Sequence, residues 1–333
     1  MNFYHIIDHE GYGTIHRLLI PLCEQYPNHH IFTSGNEYWS LNQEKIWEIV
    51  HDPDAYIILH STGKMKTELI QNFRKHFPTS RASFFLHTSY RYQELKGRGD
   101  MIHELRRVSE AYRMKVFLPS VETAKQYEAY GIPVRAIQLG IPEIYQCRAY
   151  YEARPELEPY YNKIITTCCS NQPVYGFVKG LDQFEQLVSD LHLEDEALIA
   201  GIDEVPGSKI KAKKFTTHEF LNVLCHAKAY VQLSRYETYN LTAVQAKQFM
   251  IPTLTLGVEG VYSCMGAYAY DSIPELKQAL QTVINGRFPM KILTNCWFDS
   301  HSRESLSSFR NSLEYACKCE MRKEIKFEEL FCL

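Results

Sequence analysis

A chain of 333 residues, 45% hydrophobic and 23% charged, is ordinary globular material, long enough for two domains that each bury a core. Its net charge of -3 supplies no basic field for nucleic acid or an anionic membrane. No apolar run reaches the ~18 residues of a membrane span, and the ten cysteines, with Cys168-Cys169 adjacent and Cys317-Lys318-Cys319 as CxC, lack the CxxC pairs of a zinc site.

Met1-Asn2-Phe3-Tyr4-His5 has no basic segment leading into an apolar run, so no signal peptide is expected, and a reducing cytoplasm with free thiols follows. Asn2 to Ile7 reads as a first strand. A turn holding Gly11 and Gly13 comes next, then a helix from Ile15 to Gln25 with Ile15, Leu18, Leu19 and Leu22 at helical spacing. The third glycine of a GxGxxG fingerprint would be residue 16, which is His16, so the dinucleotide signal is incomplete. The two glycines still permit close backbone approach to a ligand.

Residues 30–34 form a second strand, 41–50 a helix and 54–60 a third strand ending at His60. Asp52-Pro53-Asp54 has the DxD form used to hold a divalent ion and a nucleotide diphosphate. It precedes its strand instead of following it and carries a proline inside, so it reads as a turn. A helix over 65–76 leads to a fourth strand over 81–87 that ends in His87. A histidine at the carboxyl end of a parallel strand lies on the ligand side of an α/β sheet. His87 is the first candidate there and His60, on the neighbouring strand, the second. A helix over 100–113, a strand over 115–118 and a helix N-capped by Ser120 follow. Residues 143–160, rich in Glu, Tyr, Arg and Pro, read as a linker between domains.

The alternation then restarts. Residues 163–168 form a strand, 169–178 a loop, and Lys179-Gly180-Leu181-Asp182 opens a helix running to His192. An ammonium beside a helix N-terminus sets two positive ends together, a conflict that a bound anion resolves. After a strand over 197–201, residues 209–215 carry four lysines in six residues and read as an edge strand that resists further pairing. A helix over 217–226 leads to the short buried strand Ala229 to Leu233. The loop Ser234-Arg235-Tyr236-Glu237 follows, then a helix from Leu241 to Phe249, N-capped by Asn240 and stopped by Ile251-Pro252. Thr253 to Leu256 is the next strand. This order places the Glu237 carboxylate outside the carboxyl end of a strand, where open α/β sheets bind ligands, next to a helix N-terminus that suits an anion. Gly257 to Val261 is a further loop; helices over 272–285 and 298–318 close the chain.

The stretch from Ala229 to Leu256 resembles the signature of retaining GT-B glycosyltransferases of the large group 1, family 4-like, kind. Ser234, Glu237, Leu241, Ala246, Pro252 and the closing strand fall on that pattern. Gln245 stands where the family has a second glutamate, and Ile251 where it has a small residue. Lys179-Gly180 is a second landmark in the correct order, although the arginine usual five residues earlier is Val174 here.

The resemblance implies an α/β GT-B fold, two Rossmann-like doubly wound domains facing across a cleft. The N-terminal, acceptor-side domain would span 1–150, completed by a C-terminal helix at 298–320, and the nucleotide-sugar domain 151–297. The implied activity is transfer of a sugar, of hexosyltransferase type and with retention, from a nucleotide-diphosphate sugar to a hydroxyl of a glycan, lipid-linked glycan or glycopolymer. UDP is the expected nucleotide, and cell-envelope or exopolysaccharide synthesis the expected setting. By the same resemblance Glu237 and His87 would be catalytic, both against the sugar. Gly11, Gly13, Lys179, Thr238, Tyr239, Asn240, Leu241 and Gln245 would hold the donor. Lys179 and the amides after Glu237 would meet the diphosphate, and Gln245 the ribose, without the charge assistance of a carboxylate. No metal or other cofactor is required, and no nucleic-acid partner is implied. Peripheral contact with the inner face of a membrane fits a lipid-linked acceptor. Two other readings stand beside this one: a GT-B-shaped subunit that binds a partner or glycan without catalysis, which Gln245 and Val174 favour, and a GT-B-fold sugar-nucleotide epimerase.

Overall fold

The structure, a computed structural model, describes residues 1–7, 18–33, 43–61, 81–87, 90–137, 139–140, 151–170, 172–261, 269–287 and 306–322. Gly11, Gly13, the helix expected over 65–76 and much of the expected linker lie outside the described residues. The chain divides into two compact units, Met1–Pro142 with Ser305–Leu333, and Glu143–Glu304.

In the first unit β1 (Asn2–Ile7), β2 (His29–Thr33), β3 (Ala55–Ser61), β4 (Ala82–Leu86), β5 (Lys115–Leu118) and β6 (Val134–Ala136) form one sheet in the order β2-β1-β3-β4-β5-β6. Every pairing is parallel. Parallel neighbours need crossover connections, which bury both faces of the sheet and make its strands apolar throughout. The described helices between the strands are α1 (Ile20–Gln25), α2 (Gln43–His51), α3 (Tyr90–Leu95), α4 (Met101–Tyr112) and α5 (Val121–Glu128). Ile57, Leu59, Phe84 and Val116 bury one face of the sheet against Ile102, Leu105 and Val108 of α4. Phe3, His5, Tyr56, His60 and Phe85 stand buried on the other. The last helix of the chain, α11 (Leu306–Arg322), belongs to this unit, and its Phe309 meets Phe85 edge-on with centroids 6.3 Å apart.

The Asp52-Pro53-Asp54 segment is a turn at the amino end of β3. Asp52 Oδ2 accepts from Asn2 Nδ2 at 2.8 Å and from Tyr4 OH at 2.9 Å, while Oδ1 accepts from the Asp54 amide at 2.8 Å. The aspartate is occupied in holding the strand entry, at the end of the sheet opposite to where ligands bind. Ser120 caps α5, its Oγ accepting from the Thr123 amide at 3.1 Å.

The second unit holds β7 (Ile164–Thr167), β8 (Ala197–Ala200), β9 (Lys211–Lys213), β10 (Ala229–Gln232) and β11 (Thr253–Thr255), all parallel, in the order β11-β10-β7-β8-β9. The lysine-rich β9 is indeed an edge. Its helices are α6 (Pro173–Lys179), α7 (Leu181–Asp190), α8 (Thr217–Cys225), α9 (Leu241–Gln248) and α10 (Ile273–Ile284). Phe184, Leu187 and Val188 of α7 and Leu276, Leu280 and Val283 of α10 pack into one core with Ile164, Ile199 and Val231 of the sheet. Thr216 closes a capping box with Glu219 at the start of α8, and Ser272 caps α10.

Two expectations need correction, the loop over 169–178 and the opening of a helix at Lys179. Residues 173–179 are the helix α6, and α3 is an element beyond those expected. Pro173 suits the first turn of a helix, where no amide bond is lost. Lys179 is therefore the last residue of α6 and does not open the next helix. In that position its positive charge complements the C-terminal end of its own helix, which removes half of the expected conflict. Gly180 ends α6 in the left-handed conformation, φ 68°, and α7 starts at Leu181.

Each sheet reverses its strand order once: at β1 and β3 in the first unit, and at β7 and β10 in the second. A doubly wound sheet leaves a crevice at such a point, outside the carboxyl ends of the strands. Among the described residues no helix is long and apolar enough to cross a membrane.

Candidate functional site

The reversal in the second unit is braced by Gln232, the last residue of β10. Its Oε1 accepts from Thr167 Oγ1 at the end of β7 (2.9 Å) and from Tyr230 OH (2.8 Å). Its Nε2 donates to the Lys179 carbonyl (3.0 Å) and to Ser234 Oγ (2.8 Å). One buried amide thus ties together the two strands, the end of α6 and the loop after β10. With all four bonds made, the burial of this polar group carries little penalty.

Gly180 allows the loop to come this close. A Cβ at residue 180 would lie 1.9 Å from the Leu233 carbonyl oxygen. Arg235 then fastens the loop. Its amide donates to Val178 O at 2.8 Å, its guanidinium forms a two-pronged pair with Asp182 at 2.7 Å for each contact, and it stacks 4.0 Å from the Phe177 ring. On the far side the Gly260 amide donates to Glu237 O at 2.8 Å. A Cβ at 260 would fall 1.7 Å from the Thr238 carbonyl, so the loop over 257–261 also depends on a glycine for its approach.

The product of this bracing is an ion pair. Lys179 Nζ lies 2.6 Å from Glu237 Oε2, with the two side chains 19% and 11% exposed. Ser234 Oγ donates to the same carboxylate oxygen at 3.3 Å. Burial alone would lower the lysine pKa, but the charge of Glu237 and the hydrogen bond to it outweigh burial and hold the ammonium well above its ordinary value. Burial likewise raises the Tyr175 hydroxyl. Lys179 stays cationic at every physiological pH, in surroundings drier than bulk water.

Asn240 caps α9 as expected, Oδ1 accepting from the Ala243 amide at 2.9 Å. The Leu241 amide donates to Tyr239 O at 3.2 Å. Two amides at this helix start therefore already have protein acceptors. Tyr239, Asn240 and Leu241 are buried, and Thr238 is partly buried. Gln245, in the middle of α9, has no exposed surface. Lys247, two residues on, is also buried, a feature the sequence pattern did not signal.

In the first unit His87 follows β4 at its carboxyl end and is partly buried. Its Nε2 lies 2.9 Å from Nδ1 of His60, the second candidate. The contact continues: His60 Nε2 is 2.9 Å from His5 Nδ1, His5 Nε2 is 3.0 Å from His29 Nδ1, and His29 Nε2 is 3.4 Å from Glu314 Oε1 on α11. Burial drives all four imidazole pKa values down, those of His29 and His87 to about 4 and those of His5 and His60 well below the usual range. Among the described residues no group of three or more His, Cys, Asp or Glu is placed to hold a metal ion.

No protein-family model matches the sequence, and no curated protein matches it. Solved structures do match. The chain is similar to Anabaena Alr3699/HepE in complex with UDP-glucose, with a TM-score of 0.70 and 11% identity over 96% of this chain and 100% of that one. It is similar to a glycosyltransferase from Rickettsia africae ESF-5, with a TM-score of 0.66 and 13% identity over 97% and 99% of the two chains. A third likeness is to the α,α-trehalose 6-phosphate synthase of Burkholderia multivorans, TM-score 0.62 and 11% identity over 97% and 99%. At such identities the likeness is one of fold, and the fold is α/β of the GT-B kind.

Proposed function

We propose that this protein is a glycosyltransferase that takes a nucleotide-diphosphate sugar as donor and a hydroxyl group as acceptor. The observation that carries the reading is the Lys179–Glu237 pair, 2.6 Å apart at the strand-order reversal of the second sheet. The GT-B fold supports it, and the UDP-glucose held by HepE makes UDP the first nucleotide to test.

In this reading the ammonium of Lys179 faces the diphosphate and neutralises the charge that grows on it as the bond to the sugar breaks. Such a preorganised charge acts most strongly in the transition state. The dipole at the start of α9 adds to the same field. Glu237 accepts hydrogen bonds from sugar hydroxyls, and His87 contacts the transferred sugar. The backbone around Thr238, Tyr239, Asn240 and Leu241 lies along the donor phosphates. Gln245, fully buried within α9, is the residue that the resemblance assigns to the ribose. Gly11 and Gly13 are kept as donor-side backbone. The resemblance over Ser234 to Ala246 supports a retaining reaction that needs no metal. It points to a glycan, lipid-linked glycan or glycopolymer acceptor in cytoplasmic envelope or exopolysaccharide synthesis. The unit of residues 143–304 would bind the donor, and the unit of residues 1–142 with 305–333 the acceptor.

A second reading, a GT-B subunit that binds without catalysis, is favoured by two features. Val174, where the family carries an arginine, is exposed and uncharged, and Gln245 replaces a carboxylate. A mass-spectrometric screen of UDP-sugars and other nucleotide sugars separates the two. Transfer by the wild type that is lost in Glu237→Ala and Lys179→Ala supports the enzyme. Near wild-type rates in both folded variants remove it, and binding without transfer by the wild type favours the subunit.

A further inference from the structure

Gln232 is a polar residue in a buried strand, and Ser234, two residues on, is buried with it. Polar groups so placed are costly unless their hydrogen bonds are made, and here the bonds run in one direction.

The Lys179 carbonyl sets that direction. It stands at the end of α6, in the last turn, where a helix has no amides left for its own oxygens. A carbonyl accepts and never donates, so the atom of Gln232 that faces it at 3.0 Å is Nε2. Turned about, the amide would set oxygen against oxygen. Oε1 is thereby left to Thr167 Oγ1 and Tyr230 OH, both able to donate. Nε2 carries a second hydrogen, which goes to Ser234 Oγ at 2.8 Å. The serine hydroxyl accepts there and has its single hydrogen for Glu237 Oε2, 3.3 Å away. The two hydrogens of one amide therefore reach both members of the ion pair. One holds the backbone of Lys179; the other, relayed by Ser234, holds the carboxylate that Lys179 Nζ meets at 2.6 Å.

We propose that Gln232 is a positioning residue for this site, setting Lys179 through its carbonyl and Glu237 through Ser234, so that ammonium and carboxylate are presented together to a nucleotide-diphosphate sugar. Its two arms are separable. Ser234→Ala cuts the arm to Glu237 and leaves the one to Lys179; Gln232→Met keeps a side chain of similar length and cuts both. The direction of the hydrogen bonds stands without any assumption about activity; that the pair serves a sugar donor rests on the function proposed above.

Two measurements on the full chain test it. Proton–nitrogen correlation spectra of isotope-labelled glutamine side chains are expected to show both Gln232 hydrogens displaced downfield by hydrogen bonding. Ser234→Ala should return one of them upfield and leave the other in place. Wild-type Gln232 signals at the positions of a solvent-exposed glutamine overturn the proposal, as do signals that Ser234→Ala leaves unchanged. Transfer kinetics and calorimetric binding of UDP then read the arms separately. Folded Ser234→Ala is expected to lower kcat about tenfold with the UDP affinity within about twofold of wild type, and Ser234→Thr to restore the rate. Gln232→Met is expected to lower kcat at least as far and to weaken UDP by about tenfold as well. Wild-type kcat in Ser234→Ala, wild-type UDP affinity in folded Gln232→Met, or an equal loss of rate and affinity in Ser234→Ala would each contradict it. If Gln232→Met does not fold, the spectra and Ser234→Ala decide. A wild type that neither binds UDP nor transfers sugar, yet shows the expected Gln232 signals, would remove the sugar-donor reading and leave the placing of Lys179 and Glu237 by Gln232 standing.

Discussion

At the carboxyl ends of β7 and β10 a lysine and a glutamate sit 2.6 Å apart and remain in touch with solvent; at the carboxyl ends of β3 and β4 two histidines sit 2.9 Å apart with their charge suppressed. Both sheets reverse their strand order once; the charged pair stands at the reversal of the second, while the histidine pair stands one strand to the side of the reversal between β1 and β3 in the first. The difference follows from the neighbours. Around Lys179 and Glu237, Gln232 and Ser234 supply polar contacts, and two glycines bring backbone close enough to fix the loop. Full charges survive there because each has a partner and a hydration path. Around His60 and His87 the neighbours are Phe85 and other imidazoles, so neutral rings that exchange single hydrogens are the stable state. A charged pair is suited to a phosphate anion. A neutral imidazole is suited to an uncharged hydroxyl.

The contrast can be broken most forcefully on the charged side. Gly180→Ala places a methyl group on the Leu233 carbonyl at a φ of 68°, and is expected to destabilise the second unit by about 3 kcal/mol or more. Calorimetry should register that loss, while the imidazole spectra of the first unit stay as in the wild type. Lys179→Ala and Glu237→Ala come next, with donor turnover falling by about 10²–10³-fold in a folded protein. Single-turnover kinetics would read this as a loss in kcat, beyond any rise in KM.

Acid should separate the units. The buried imidazoles of His5, His29, His60 and His87 titrate below their unfolded value of 6.5. Between about pH 6.5 and 4 the unfolded chain binds protons that the folded chain refuses. Stability is therefore full above that window and falls as pH drops through it, by at most about 1.4 kcal/mol per pH unit for each histidine. For His29 the cations Arg310 and His30 act in the same sense and Glu314 against it. Denaturant titrations across the window should place the loss in the first unit, since Lys179 keeps its charge throughout. The smallest effect is expected for Asp182→Asn. Arg235 would keep its stacking on Phe177 and its bond to the Phe177 carbonyl, and the half-open ion pair contributes about 1 kcal/mol or less. A rise of a few-fold in donor KM would register it.

The charged site was largely legible in the sequence because its parts are consecutive. Ser234, Glu237 and Asn240 lie in one loop and cap, between a strand of β-formers and a helix stopped by Ile251-Pro252, and Lys179-Gly180 announces its own break. What escaped was α6. Val174 and Phe177 are exposed and only Val178 is buried, so the segment has no apolar face to repeat at helical spacing. The pairing of Gly180 with Leu233 and of Gly260 with Thr238 also escaped, being tertiary contacts between separate loops. The histidine row was hidden for a different reason. His5, His29, His60 and His87 are scattered over more than eighty residues, and only the strand register sets them on one diagonal. His87 and His60 could be singled out by their place at strand ends; Glu314, on a helix at the far end of the chain, carried no signal of its own.

Thermal unfolding with and without UDP, in the wild type and in Lys179→Ala, tests the account at its centre. UDP at about 100 times its dissociation constant is expected to stabilise the wild type by ~2.7 kcal/mol, and the same concentration to leave Lys179→Ala almost unmoved. No shift for the wild type with UDP or any other nucleotide diphosphate, or an equal shift in the variant, would contradict it.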